Sequence, residues 1–257
     1  MSNNSGTTKT YYCKYKKYNY LHKHPFYKYI AFFTVLFYNL LYHIISYLFY
    51  TQIHKRSQHE NNKQIAAGGV LALAAMIILI VRAVHLGSLI HIISFTIFGV
   101  SLVLMYTTSS IFHGLRWNKA KEVFEVLDHS VIYILIAGTY TPFLLTVVGG
   151  RVGVTLLIIE WCICIFGIIF KSFFVQRFVL FSTSLYILMG WLGIFVWNSL
   201  IMNISDYSLF FMISGGLFYT IGTVFYMWRL FRYHHLVWHI FVIFGSISHF
   251  FAVYFIL

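Results

Sequence analysis

The chain has 257 residues, 60% of them hydrophobic and only 9% charged, with a mean hydropathy of +0.79. That balance excludes an ordinary soluble domain and supplies apolar length for about seven or eight membrane spans of roughly 20 residues each. The net charge of +12 does not call for nucleic acid, because the basic residues sit in the tail and loops, where they set topology and attract anionic lipid headgroups.

In chain order, residues 1–28 carry Lys9, Lys14, Lys16, Lys17, Lys23 and Lys28 without an acid. This reads as a disordered or membrane-surface tail. A first hydrophobic stretch, 29–50, is interrupted by Asn39, His43 and Ser46, and a polar hinge follows at 51–64. Seven cleaner segments come next, at 65–84, 88–110, 129–148, 152–170, 178–200, 208–228 and 236–256. Every loop between them is short, so no soluble domain intervenes. The expected architecture is an all-α integral membrane protein: a seven-helix bundle over 65–257, preceded by a 1–64 region with an additional hydrophobic segment. Cys13, Cys162 and Cys164 give no disulfide framework. Cys162 and Cys164 point in different directions on a helix and read as packing residues.

Lysines and arginines orient the seven segments. Lys55, Arg56, Lys63, Arg116, Lys119, Lys121, Lys171, Arg177, Arg229 and Arg232 fall on one side, and only Arg82 and Arg151 on the other. The positive-inside rule puts the first group in the cytoplasm and the C-terminus outside or in a lumen. Segment 29–50 fits this scheme awkwardly. A cleaved signal peptide would deliver the hinge to the wrong side, and an eighth span would do the same to the lysine tail. An interfacial helix avoids both conflicts, though its length is that of a span. All three readings stand.

The same topology brings four polar residues to one depth. His113 ends the second segment, Asp128 opens the third, and His235 and His239 open the last. His235 and His239 are four apart and share a helical face. Three imidazoles with room for a water form the ligand set of a catalytic zinc site, and Asp128 is placed to take that water's proton. Nitrogen donors favour zinc over metals of softer sites. Ser109, one turn before His113, is placed to orient the carboxylate or the water. The plainer alternative is that these histidines sit at the headgroup interface, since the chain has 13 of them. His234 is rotated about 100° from His235, and His129 reads as turned off Asp128's face. His249 reads as a deeper core or lumenal histidine, and His85 and His91 lie toward the opposite side.

Three other features have packing or functional readings. Pro142 inside the third span removes a helix hydrogen bond and predicts a kink. Glu160 is either an intramembrane functional acid or a carboxylate reaching the interface near the lumenal half. Gly215, Gly216 and Gly222 predict close helix contacts.

The runs Ser109-Ser110-Ile111-Phe112-His113, Leu127-Asp128-His129 and Gly138-Thr139-Tyr140-Thr141-Pro142-Phe143 resemble the hemolysin III family, within the progestin and adipoQ receptor group. So do Gly190-Trp191-Leu192, Gly215-Gly216-Leu217-Phe218-Tyr219-Thr220-Ile221-Gly222 and His235-Leu236-Val237-Trp238-His239-Ile240-Phe241-Val242. The resemblance covers about residues 60–257. It implies seven helices, a cytoplasmic N-terminus and a Zn2+ ion near the cytoplasmic face, held by His113, His235 and His239 with Asp128 and Ser109 beside the bound water. One departure is that the family's Thr-His pair in the first span reads Ala66-Ala67 here, after Glu60.

The group is similar to alkaline ceramidases, so the resemblance implies ceramidase-like hydrolysis of a lipid amide or ester, with a lipid substrate in the bundle. Two alternatives remain: a pore-forming hemolysin or cytolysin, and a seven-helix receptor with structural zinc. Membrane lipids are the expected partners, in a plasma or an internal membrane.

Overall fold

A computed structural model describes residues 58–116, 119–175, 177–227 and 234–257, with side chains from residue 68 onward and, in the last helix, from residue 237. The tail, segment 29–50 and the start of the hinge lie outside the described residues, as do Arg229 and Arg232. So do the side chains of Glu60, Ala66, Ala67, His234 and His235.

Among the described residues the chain is helical throughout, and seven helices are long and apolar enough to cross a membrane. They are α1 (Gln58–Leu86), α2 (Leu89–Gly114), α3 (Lys119–Pro142, continued to Val148), α4 (Gly150–Phe173), α5 (Val179–Asn203), α6 (Asp206–Met227) and α7 (His234–Tyr254). The protein is thus a multi-pass integral membrane protein. Its outer surface is clad in aliphatic and aromatic side chains such as Val70, Leu89, Val152, Phe195 and Met202. Lipid can solvate such a surface and water cannot.

Two helices begin earlier than their hydropathy suggests. α1 starts at Gln58, so residues 58–64 of the expected hinge are already helical. α3 starts at Lys119, ten residues before the apolar segment. Hydropathy marks the part that meets lipid, whereas Lys, Ala and Glu prolong a helix beyond it at little cost.

Small residues set the seams between helices. A Cβ on Gly99 would strike Met76, on Gly138 would strike Ser101, and on Gly167 would strike the Tyr133 ring. Gly215 lies against His249 and Gly222 against Phe241, as expected, but Gly216 has open space beside it and lines a cavity instead. Without a hydrophobic force between helices in lipid, such close approach gains dispersion contact. α4 presents Gly153, Leu156, Glu160, Cys164, Gly167 and Lys171 on its buried face, which packs on α3. Glu160 therefore does not reach the interface. It is fully buried, and neither carboxylate oxygen has a hydrogen-bond partner among the described residues.

Two spans change winding. After Pro142, α3 continues as a π-helix over Phe143–Val148 and ends at Gly149, whose φ of 61° favours glycine. The missing proline N–H is thus accommodated by wider winding. α5 is α-helical over Val179–Trp191, 3-10 over Leu192–Val196 and α-helical again over Trp197–Asn203. Tyr140 of α3 repairs that break, accepting from the Gly193 N–H at 3.0 Å and donating to the Gly190 carbonyl at 2.7 Å.

Arg82, one of the two basic residues on the sparsely charged side, has a structural duty. Its Nε donates to the Tyr254 carbonyl at 2.9 Å while the guanidinium lies 4.1 Å from the Tyr254 ring centroid. It ties α1 to the end of α7.

Candidate metal centre

Alternating spans bring the end of α2, the start of α3 and the start of α7 to one end of the bundle. Ser109 and His113 occupy the last turns of α2. Asp128 lies not at the mouth of α3 but well inside it, because the helix begins at Lys119. The Ser109 hydroxyl donates to the Asp128 carboxylate, joining α2 to α3. From α7, the His239 ring comes within 5.3 Å of the His113 ring, centroid to centroid, at 75°. Trp238 and Phe112 pack on these two imidazoles at 4.6 and 5.0 Å.

Two of the three expected ligands therefore meet, and the expected carboxylate and hydroxyl pair with each other. The third ligand, His235, has its backbone on α7 one turn before His239, but its side chain lies outside the described residues. Among the described residues, no group of three or more His, Cys, Asp or Glu side chains is gathered to hold a metal.

His129 does turn away from its neighbour, and it becomes a brace. Its Nδ1 lies 2.8 Å from the Glu125 carbonyl, so Nδ1–H donates there. Nε2 is then the acceptor side, 3.5 Å from the Tyr226 hydroxyl of α6. Tyr186 of α5 donates to the His129 carbonyl at 2.8 Å. These tyrosines were not singled out from sequence, because nothing distinguishes a bracing tyrosine from an interfacial one in so aromatic a chain. Lys121 donates to the Leu115 carbonyl at 3.1 Å, closing the α2–α3 loop beside His113. Lys171 is buried at the same end, where its Nζ donates to the Val175 carbonyl at 3.1 Å.

Beside these residues a cavity of about 250 Å³ opens between α3, α5, α6 and α7, with α2 contributing Met105. Met105, Ile132 and Val242 in its wall lie one turn in from Ser109, Asp128 and His239 respectively. The wall is overwhelmingly apolar.

The fold is a seven-span bundle in which two histidines meet at one end, with a serine–aspartate hydrogen bond and an apolar cavity at that end. A family model described as Haemolysin-III related matches residues 64–250. The chain is 46% identical over 188 residues to a protein of Bacillus subtilis (strain 168) named Hemolysin-3 homolog, covering 73% of this chain and 88% of that protein. It is 44% identical over 188 residues to Hemolysin-3 of Bacillus cereus, covering 73% and 86%. To the human protein named Monocyte to macrophage differentiation factor it is 27% identical over 164 residues, covering 62% and 68%. The chain belongs to the Haemolysin-III related family.

Proposed function

We propose that this protein is a zinc-dependent hydrolase of a lipid amide or ester, with its metal centre at the cytoplasmic end of the bundle. The observation that carries the reading is the meeting of His113 and His239, from helices distant in sequence, beside the Ser109–Asp128 pair and above an apolar cavity. Two imidazoles sharing one tetrahedral zinc at about 2.0–2.1 Å keep their ring centroids roughly 5 Å apart. The separation of 5.3 Å fits that requirement. His113, His235 and His239 would hold the ion.

Zinc held there would supply Lewis acidity toward a water and a lipid carbonyl. Asp128 takes the proton from the attacking water and returns it to the leaving amine or alcohol. Ser109 fixes the carboxylate for that transfer. The cavity receives the acyl chain, so the carbonyl comes to rest at the polar end while the hydrocarbon stays out of water.

The test is turnover of a panel of ceramides and lipid esters by the purified full chain. His113→Ala and His239→Ala are expected to abolish it, and Asp128→Ala to reduce it by about 10²- to 10⁴-fold. Full hydrolysis in all three variants would exclude the reading.

The name Hemolysin-3 borne by the Bacillus relatives favours a second reading, a pore-forming cytolysin. A pore needs a continuous polar lining, whereas the cavity is apolar, so an oligomer would have to supply it. Dye leakage from vesicles that persists in His113→Ala, with no lipid hydrolysed, would favour the pore.

A further inference from the structure

Glu160 takes no part in the metal centre. It stands at the middle of α4, which runs from Gly150 to Phe173, and so near mid-depth in the membrane. Gly153 and Gly167 lie two turns before it and two turns after it on the same buried face. At both of them α4 closes on α3: a Cβ on Gly153 would strike the Leu144 carbonyl, and one on Gly167 the Tyr133 ring. Glu160 is thus pinned between two close approaches. It is 0% exposed, and neither carboxylate oxygen has a hydrogen-bond partner among the described residues.

The groups around it offer no countercharge. From α3 comes Tyr140, whose hydroxyl is engaged with Gly190 and Gly193. Thr141 donates to the Ala137 carbonyl and accepts from Trp161, the residue after Glu160. α4 itself supplies Cys164. From α5, Tyr186 packs on Tyr133 beyond Cys164. Phenols, hydroxyls and thiols are all uncharged at neutral pH. The basic residues of α4, Arg151 and Lys171, lie roughly 14 and 17 Å away along the axis, and Lys171 donates to the Val175 carbonyl.

A lone carboxylate is far costlier at this depth than the neutral acid, and so short a side chain cannot reach the interface from mid-span. We propose that Glu160 is a proton-binding site: the folded bundle holds it as the neutral acid, and loss of that proton parts the α3–α4 seam. The proton sits on one carboxyl oxygen and passes to water as the seam opens. In the unfolded chain the carboxyl meets water and ionises at about pH 4.3. Above that pH, unfolding releases one proton. Rising pH therefore favours the unfolded state, by about tenfold per pH unit, until the folded acid ionises as well. Below about pH 4.3 both states keep the proton and the effect disappears.

Two measurements on the purified full chain test the site. The chain has only six Asp and Glu residues, so the carbonyl stretch of a protonated carboxyl can be read by infrared spectroscopy. At neutral pH the wild type is expected to show that band, and Glu160→Gln to lose it. In thermal unfolding, the Tm of Glu160→Gln is expected to gain steadily on the wild type as pH rises above about 4.3. Glu160→Leu, which removes both oxygens from an apolar seam, is expected to behave alike, so a Gln variant that fails to fold leaves the test standing. A spectrum unchanged by the substitution overturns the site, as does a Tm difference that does not vary with pH. Neither readout involves the metal centre, so neither result bears on the hydrolase reading.

Discussion

Ser109 holds Asp128 from a neighbouring helix, and that hydrogen bond fixes where the carboxylate points. Removing the hydroxyl leaves the histidines untouched. On the proposed zinc-hydrolase reading, Ser109→Ala is therefore expected to lower turnover about 10- to 100-fold while zinc content stays at the wild-type level. Steady-state rates alongside metal analysis separate the two, and a loss of zinc in step with activity would show that Ser109 supports the ligands instead. Residues of this kind are legible from sequence because polar groups are so scarce in an apolar chain. His113, Asp128 and His239 stood out by depth and spacing alone. His249 was located as a deep residue, but its stacking on Tyr219 and its close approach to Gly215 are given by no spacing rule. For Glu160 two readings stood, an intramembrane acid and a carboxylate reaching the interface, and the buried face of α4 removes the second.

At the scale of the helix, Tyr140 is the informative case. Its hydroxyl joins two groups left over where α5 changes from α to 3-10 winding. Tyr140→Phe leaves the Gly190 carbonyl and the Gly193 N–H without that partner inside a membrane span, where no water replaces it, which costs about 1–3 kcal/mol. Thermal unfolding in detergent is expected to show a clear drop in Tm, and an unchanged Tm would mean that the break is satisfied without Tyr140. The seven spans themselves were legible because lipid demands about 20 apolar residues per crossing. The internal breaks were not. Leu192–Val196 is as apolar as the helix around it, so hydropathy passes over the change in winding. The early starts of α1 and α3 escaped for the opposite reason, being helical but polar.

For the molecule as a whole, topology does what no single motif could. An odd number of crossings separates residues onto opposite faces and an even number returns them, so His113 and His239 meet although 126 positions separate them in the sequence. The cavity beneath them is built from apolar residues of several spans. Nothing in the order of those residues announced it, because lipid-facing and cavity-facing side chains have the same chemistry. On the proposed reading this end of the bundle holds zinc, and the metal content of the purified protein beside the His235→Ala/His239→Ala double variant decides it. About one zinc per chain, lost in a variant that still folds, is the predicted result. A folded wild-type protein without zinc, purified under conditions that retain bound metal, would contradict it.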